Sequence, residues 1–236
     1  MLSLFFLDFE EVTSVIALEF LENTFILIVN TLFNFETTKI TMKPLLRYNI
    51  SMQPTREKIL DAVFELVYIY GYNGTSMSMI LKKCEIPKGS LYHYFKSKKE
   101  MVLAVIEERL APRMDAFYDF TNDENKHPVD VLIDAIKKVA TKKQLVLYGC
   151  PLNRLNQEMS PIDKDFEDAI TPVYEHVKSK IVTLLNDVNL QTDTNVLAEF
   201  VIASVWGALS LSPAQSSQER YLATVELLIN YLTSLK

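Results

Sequence analysis

The sequence predicts an all-α protein, and three observations carry this prediction. The chain of 236 residues contains only five glycines and nine prolines, too few for a turn-rich all-β fold. No stretch shows sustained alternation of apolar and polar residues with turn dipeptides, which half-buried strands would require. Apolar residues instead recur at helical spacing, beginning in the first long helix with Ile59, Ala62, Val63, Leu66 and Tyr70.

Capping and breaking residues mark the predicted helices of the amino-terminal half. Gly71 ends the first helix, Ser76 is the N-cap candidate of the second, and Pro87 suits the start of the third. Ser97 and Glu100 form a Ser-x-x-Glu capping box at the start of a long fourth helix. The first three helices are therefore expected over residues 54–70, 76–83 and 87–95.

The rest of the chain is also predicted to be helical, with prolines at the breaks. The expected helices cover residues 97–121, 128–148, 151–159, 162–188, 194–211 and 217–235. Composition and this pattern together predict three regions: an atypical amino-terminal extension over residues 1–51, a small head over 52–100 and a larger helical body over 101–236.

Charge is distributed unevenly between these regions. The net charge of the chain is −6 at pH 7. The head nevertheless carries eight Lys and Arg against five Asp and Glu, and it is the one net-positive region of the sequence. A basic head beside an acidic body is typical of a nucleic-acid-binding protein with a separate regulatory or assembly domain.

The extension, residues 1–51, is rich in Phe, Leu and Ile. Its first charged residues are acidic, unlike the basic start of a secretory signal. Its longest uncharged apolar run, residues 23–35, is too short to span a bilayer as a helix. We interpret the extension as sequence upstream of the true start, at Met52 or Met42. The alternatives are a real extension that packs on the body and a membrane tether.

The sequence contains none of the motifs expected of an enzyme or of a metal or cofactor site. The sequence has no glycine-rich phosphate loop, no Gly-x-Ser-x-Gly motif and no paired histidines at metal-ligand spacing. We therefore expect neither an enzyme nor a metal or cofactor site. The two cysteines, Cys84 and Cys150, cannot build a disulfide framework or a zinc cluster. They suit a reducing cytoplasm, where we expect the protein without stable membrane association.

Residues 76–99 carry the strongest chemical signal. Two short helices joined by a three- or four-residue turn form a helix-turn-helix, whose second helix can enter the major groove of DNA. Here that helix starts with Lys88, Gly89 and Ser90, so small residues allow a close backbone approach and the helix amino end favours phosphate. The aromatic side chains of Tyr92 and His93 can press on thymine methyl groups or donate to phosphate.

Three short runs between Thr55 and Met101 also carry a family resemblance. They are Thr-Arg-Glu-Lys-Ile-Leu at 55–60, Gly-Tyr at 71–72 before Thr-Ser at 75–76, and Lys-Gly-Ser-Leu-Tyr-His-Tyr-Phe-Lys-Ser-Lys at 88–98. This segment resembles the DNA-binding domain of TetR/AcrR-family transcriptional regulators. The resemblance implies a homodimer, each subunit with a three-helix DNA-binding head and a helical ligand-binding and dimerisation body. It implies a core role for Leu91 and Phe95, and it implies that these residues face double-stranded DNA: Ser76, Ser78, Lys88, Gly89, Ser90, Tyr92, His93 and Lys98.

Two residues depart from the family pattern. Leu81 stands where the family usually has a small residue, and it is expected to push the two motif helices slightly apart. Glu85 stands where the turn usually has a glycine, so it must adopt the turn geometry without a glycine's conformational freedom. Both departures concern the angle of the recognition helix rather than the fold.

A second resemblance lies at residues 149–160, Gly-Cys-Pro-Leu-Asn-Arg-Leu-Asn-Gln-Glu-Met-Ser. The run is similar to the Gly-Cys-x-x-x-x-Leu-x-x-Glu-x-Ser signature in the regulatory domain of one branch of the family. In that branch the short helix borders the ligand cavity, and some relatives use a cysteine here to detect electrophiles or oxidants. Cys150 lies at a helix start, where the helix amino end and Arg154 are expected to lower its pKa. A packing role is the competing interpretation of Cys150, and it is the expected role of Cys84.

The inducer site is expected among side chains of the body. Beside Cys150 and Arg154, the candidates are Tyr118, Tyr148, Met159, Phe166, Tyr174 and Trp206, although a residue of any of these types is more often plain core. The resulting hypothesis is a ligand-responsive repressor that binds a palindromic operator as a homodimer and is released by a small molecule or an electrophile. The alternatives are a redox or electrophile sensor triggered by Cys150 and a membrane-tethered regulator anchored through residues 1–51.

Overall fold

The computed structural model describes residues 55–120, 125–186, 188, 190–214 and 218–236 of the chain. The chain divides into two units, Met1–Met52 and Gln53–Lys236, and the described residues all belong to the second. The interpretation of residues 1–51 therefore lies outside the described residues. Within them every regular element is a helix, which confirms the all-α prediction.

The described residues form helices that we number α1 to α11 in chain order. Their bounds are α1 Thr55–Gly74, α2 Met77–Cys84, α3 Lys88–Tyr94, α4 Lys98–Val105, α5 Ala111–Phe117, α6 Pro128–Thr141, α7 Lys143–Tyr148, α8 Pro151–Met159, α9 Lys164–Leu185, α10 Thr194–Leu211 and α11 Gln218–Thr233. A π-helical turn, Ile106–Leu110, joins α4 to α5, and a 3-10 turn, Ser212–Ala214, follows α10. The three head helices and the predicted helices 151–159 and 194–211 are confirmed.

Side chains satisfy the first amides of the head helices, as predicted. The Ser76 hydroxyl accepts a hydrogen bond from the Met79 amide at 3.2 Å, and the Ser97 hydroxyl accepts one from the Glu100 amide at 3.1 Å. The return bond of the capping box differs from the prediction. The Glu100 carboxylate accepts from the Lys96 amide at 2.6 Å, one residue before the N-cap.

Two of the predicted body helices are wrong because each is interrupted. The predicted helix 128–148 breaks at Lys142, whose ψ of 90° separates α6 from α7. The predicted helix 97–121 ends at Phe117 and contains the π-helical turn. Pro112 accounts for that turn, since it has no N–H to donate to the carbonyl of Glu108 four residues earlier. The Arg109 guanidinium donates to this carbonyl instead, at 3.1 Å.

One continuous apolar core joins the head helices to the body. Its fully buried members extend from Ile59 in α1 to Leu232 in α11. Helix α1 packs against both α4 and α8, while α9, α10 and α11 pack in sequence and α11 also covers α6. The head and the body therefore pack together as one unit, in which α8 contacts α1 directly.

The turn between α2 and α3 places a non-glycine residue in the left-handed region. Glu85 has φ 51° and ψ 40°, and it is the one non-glycine residue with positive φ among those described. This region costs an L-residue about 1–2 kcal/mol. A glycine removes that cost, but its greater chain entropy in the unfolded state offsets part of the gain.

We expect Glu85→Gly to raise the free energy of unfolding by about 0.5–1 kcal/mol, because the glycine relieves the left-handed backbone. Urea unfolding of the full chain measures this change. The matched control is Glu85→Ala, which removes the same carboxylate but keeps a Cβ and is expected to show no gain. A loss of stability in the glycine variant would contradict the strain at this position.

Candidate nucleic-acid interface and ligand cleft

Helix α3 has one face in the core and one face open to solvent. Leu91 is fully buried and Phe95, which ends the helix, is 3% exposed, as the family resemblance implied. The opposite face carries most of the predicted DNA-contacting residues. Lys88, Gly89, Tyr92 and His93 are exposed, and Ser90 is half-buried.

Two further predicted contacts lie at the start of α2. Ser76 and Ser78 are both exposed, and their hydroxyl oxygens lie 2.8 Å apart. Ser76 also caps α2 through its bond from the Met79 amide, so its hydroxyl has a structural role as well. Leu81, which was expected to separate the motif helices, is half-buried against the common core.

The glycine at the start of α3 is not required by the fold. A Cβ built on Gly89 meets no atom within 4 Å, and its backbone lies outside the left-handed region that favours glycine. The absence of a side chain there therefore leaves an open approach to the helix backbone. Packing within the described residues therefore does not explain the small size of residue 89.

One exposed aromatic residue of α3 was missed by the sequence analysis. Tyr94 is 39% exposed, and its ring lies 5.3 Å from the ring of His93. It belongs to the same Tyr-His-Tyr run as Tyr92, so the run itself was the signal that could have found it. The exposed residues of α3 thus include three aromatic rings, and the Lys88 ammonium lies 5.8 Å from the centre of the Tyr92 ring.

Lys98 was predicted to contact a DNA phosphate, but its ammonium is already hydrogen-bonded within the protein. Its ammonium donates to the carbonyl oxygens of Tyr72 at 2.8 Å and Thr75 at 2.9 Å, and lies 4.1 Å from the Tyr72 ring centre. Partial burial lowers the pKa of Lys98. A phosphate contact from Lys98 would therefore use its third N–H.

The body contains a cleft of about 380 Å³ that brings together two of the predicted ligand-contacting residues. The rings of Tyr174 and Trp206 meet edge to face at 5.7 Å. The cleft lies between α8, α9 and α10, and its other lining residues are Asn156, Ile170, Thr171, Glu199, Ile202 and Ala203. A hydrogen bond from Tyr174 and an ion pair with Lys178 at 3.2 Å lower the pKa of Glu199. The cleft thus combines an aromatic wall with an ionised carboxylate.

A second group of predicted residues surrounds the junction of α7 and α8 and does not line this cleft. Tyr148 meets Tyr68 of the head at 5.6 Å, and the Tyr68 hydroxyl donates to the Gly149 carbonyl at 2.9 Å. Arg154 donates to the carbonyl of Tyr68 at 2.6 Å. Tyr118 is 8% exposed and packs in the core. The contacts of Tyr148 and Arg154 therefore tie the body to α1.

The predicted lowering of the Cys150 pKa is wrong. Cys150 is the N-cap of α8, but it is only 4% exposed, and burial raises the pKa of its thiol to about 11. The desolvation of the thiolate outweighs the favourable amides at the helix start. Arg154 donates to backbone carbonyls instead of stabilising a thiolate. Cys84 is fully buried, as expected of a packing residue.

Met159 and Phe166 lie neither in the cleft nor at the junction of α7 and α8. They pack beneath the end of α1. Both are buried, and the ring of Phe166 meets that of Tyr72 at 5.1 Å. The eight predicted ligand and sensor residues thus divide among three places, and only Tyr174 and Trp206 line the cleft.

Glu158, which was not among the predicted site residues, contacts the head directly. One carboxylate oxygen accepts from the Tyr72 amide and the other from the Asn73 amide, each at 2.8 Å. Glu158 is the glutamate of the Gly-Cys-x-x-x-x-Leu-x-x-Glu-x-Ser signature. That signature was a signal for this residue, although it did not indicate the partner.

Comparison with known proteins agrees with this geometry. Residues 59–105 match the family model described as bacterial regulatory proteins, tetR family. The HTH-type transcriptional regulator in the lacX 3' region of Lactococcus lactis subsp. lactis is 32% identical over 172 residues, which cover 68% of this chain and 84% of that protein.

Two further similarities come from a repressor and from a solved structure. The HTH-type transcriptional repressor NemR of Escherichia coli K12 is 26% identical over 118 residues, covering 49% of this chain and 59% of that protein. The crystal structure of a TetR transcriptional regulator from Chloroflexus aurantiacus J-10-FL superposes with a TM-score of 0.68 at 25% identity, covering 77% of this chain and 95% of that one.

Proposed function

The chain belongs to the TetR family of bacterial transcriptional regulators, and from this premise we propose that it is a ligand-responsive repressor that binds a palindromic operator as a homodimer. The family is one of DNA-binding regulators and not of enzymes. The similar protein NemR is named as a repressor, which supports repression rather than activation for this chain. A cytoplasmic location follows from the same proposal.

The single observation that carries the proposal is the exposed face of α3. Its exposed residues make no contribution to the core, and Gly89 leaves its backbone open. A helix with these properties suits the major groove, where side chains distinguish base pairs and phosphate contacts supply much of the affinity. Lys88 and the exposed aromatic run would supply these contacts.

Exposed apolar residues on α10 and α11 support the proposed dimer. Phe200 and Tyr231, 6.2 Å apart between ring centres, connect the two helices on their outer face. The other large apolar members of this outer face are Val196, Leu211 and Leu227, which are 62%, 51% and 81% exposed. Large exposed apolar residues gathered on two neighbouring helices are typical of a protein–protein interface. A second copy would bury it in an isologous contact.

The same proposal explains the composition of α10. By length and composition α10, with a mean hydropathy of 1.5, is the one helix among the described residues that is long and apolar enough to cross a membrane. Its inner face lies in the core, where Ala198, Val201 and Val205 are buried. If its outer face packs on a second copy, both faces are covered by protein, and an apolar composition follows without a bilayer.

The cleft beside Trp206 is the proposed inducer site. A volume of about 380 Å³ lies in the range of small-molecule sites. Its aromatic wall and the Glu199 carboxylate favour a small ligand with a flat apolar part and a hydrogen-bond donor. An inducer releases the operator only if it binds the DNA-incompetent conformation more tightly than the competent one.

Selection of genomic fragments by the purified full chain, identified by sequencing, tests the proposal. We expect enrichment of a palindromic site near a promoter, above the salt-sensitive background of non-specific binding. Enrichment of no site over that background would contradict the proposed repressor.

The electrophile-sensing alternative depends on Cys150, and the buried thiol leads to a distinct prediction. Because burial raises the pKa of this thiol to about 11, Cys150 is protonated at pH 7 and is a poor nucleophile. We expect iodoacetamide to label Cys150 in the native chain at least about 100-fold more slowly than in the urea-unfolded chain. Mass spectrometry of the labelled peptides measures both rates.

The control for the Cys150 prediction is the Cys150→Ser variant bound to its operator. An electrophile is expected to release the wild type and the variant equally. Release of the wild type alone, with rapid labelling of Cys150, would contradict this prediction and establish the thiol as the trigger.

The membrane-tether alternative depends on residues 1–51, which lie outside the described residues. Fractionation of cells, with mass spectrometry of the amino terminus of the native protein, decides it. A first residue at Met42 or Met52 would end this alternative.

A further inference from the structure

We propose that Arg154 and Glu158 of α8 act together as a clasp that holds the break in α1 and thereby positions the recognition helix for DNA. The inference deepens the proposed function, on which it rests. The clasp consists of these two side chains and their bonds to α1. The two residues are four apart, so they lie on one face of α8.

The break in α1 removes hydrogen bonds that an unbroken helix would make. Gly71 has φ 77° and ψ 174°, far from helical values. In an α-helix the Tyr72 amide would donate to the carbonyl of Tyr68, four residues earlier. At the break the Tyr72 amide turns to the Glu158 carboxylate, and a buried amide that loses its partner costs substantial free energy.

The clasp supplies a partner of the correct charge to each separated group. Arg154 donates to the Tyr68 carbonyl at 2.6 Å, and Glu158 accepts from the Tyr72 amide at 2.8 Å. The second oxygen of Glu158 accepts from the Asn73 amide, also at 2.8 Å. A cation thus meets the carbonyl end of the first helical segment, and an anion meets the amides that follow the break.

The break has no room for a side chain while the clasp is closed. A Cβ on Gly71 would lie 2.8 Å from the nearer carboxylate oxygen of Glu158. Gly71 therefore serves two purposes, since it allows the positive φ and it admits the carboxylate.

Residues 71–75, which follow the break and are bonded to the clasp, lead directly into the DNA-binding motif. On its other side Lys98 of α4 donates to the carbonyls of Tyr72 and Thr75. The Thr75 hydroxyl donates to the Gly71 carbonyl at 2.7 Å, and α2 begins two residues after Thr75. Bonds from α8 and α4 thus hold the segment from which α2 starts, while Ile80 and Cys84 pack α2 into the core. We assign the clasped arrangement to the DNA-competent conformation.

Helix α8 also contacts the ligand-binding part of the body. Asn156 lines the cleft beside Trp206, and the Asn153 amide group donates to the Ser210 hydroxyl of α10 at 3.3 Å. These residues alternate along α8 with the clasp residues. The helix therefore lies between the cleft and the break in α1.

The test compares Glu158→Gln, Arg154→Met and the double variant in the full chain, with Gln157→Ala as the control. Gln157 is exposed on the same helix and next to Glu158. Each variant is measured at a temperature where circular dichroism shows it fully folded. The readouts are affinity for the selected operator, dimer content and hydrogen exchange of the peptide that contains Tyr72 and Asn73.

We expect each clasp variant to exchange the 72–73 amides faster and to bind the operator about tenfold more weakly, with unchanged dimer content. The double variant is expected to lose no more affinity than the weaker-binding single variant, because both side chains hold the same break. Gln157→Ala is expected to match the wild type. If Glu158→Gln fails to fold, Arg154→Met carries the same comparison.

Two results would overturn the clasp. One is faster exchange with unchanged operator affinity, which shows a local structural role alone. The other is additive losses in the double variant, which show two unrelated effects. Failure of the wild type to bind any DNA site would instead overturn the proposed function, so the two failures are distinguishable.

Discussion

Replacement of Tyr92 and His93 together by alanine is expected to abolish specific operator binding while the fold and the dimer remain intact. Both side chains are exposed on α3 and neither belongs to the apolar core. A contact to a base edge contributes about 1–3 kcal/mol of discrimination, so the loss of two contacts weakens binding by about 30-fold to 10,000-fold, which lowers it towards the non-specific level. Fluorescence anisotropy with the selected operator measures the loss, and sedimentation measures the dimer.

The matched control for this variant is Tyr70→Ala. Tyr70 is also an exposed aromatic residue of the head, at 53% exposure, but it lies on α1 and no DNA contact is predicted for it. It is expected to bind as the wild type does. Wild-type affinity of the Tyr92 and His93 double variant would show that α3 is not the recognition helix.

The Gly89→Ala variant is a second, independent test of whether α3 contacts DNA. The added methyl group points into open space in the free protein, so stability should stay the same or rise by a few tenths of a kcal/mol. Against a closely approaching DNA backbone the same methyl group is expected to lower affinity several-fold, since a well-packed interface resists added volume. Opposite signs for stability and for binding distinguish this effect from a folding defect.

The second large effect is expected for Leu227→Arg, which should convert the dimer to a monomer. Leu227 is 81% exposed on α11, so the arginine is tolerated in a single subunit. In the proposed interface it would bury an unpaired charge at a cost of several kcal/mol. Two linked heads bind two half-sites far more tightly than one head binds one, so operator affinity should fall by about 100-fold or more.

Ile162→Arg is the matched control for the dimer prediction. Ile162 is 74% exposed, similar to Leu227, but it precedes α9 and lies off the α10–α11 face. Light scattering coupled to size-exclusion chromatography should find a monomer for Leu227→Arg and a dimer for Ile162→Arg. A dimeric Leu227→Arg protein would place the interface elsewhere.

The sequence predicted those elements whose signals are local. Gly71 indicated the end of the regular part of α1, and Ser76 and Ser97 indicated two N-caps that the structure contains. Pro151 likewise marks the start of α8. The break at Lys142 has no glycine or proline to indicate it, and so the predicted helix 128–148 was wrong.

Features that depend on distant residues could not be predicted from local patterns. Glu158 and Tyr72 are 86 residues apart in the chain, and only their packing shows that they are partners. The thiol of Cys150 was placed correctly at a helix start, but its burial, which reverses the expected pKa shift, depends on the surrounding core. Most of the eight ligand candidates have apolar side chains, which suit the core and a ligand cavity equally well. Residue type alone could therefore not show which of them line the cleft.

We propose that α3 of each subunit enters the major groove at one of two symmetric half-sites. Protection of guanine N7 from dimethyl sulfate on the selected operator tests it most directly, because N7 lies in the major groove. We expect two protected patches about one helical turn apart with the wild type, and none with the Tyr92 and His93 double variant. A single patch, or binding without major-groove protection, would show that two copies of α3 do not enter the major groove.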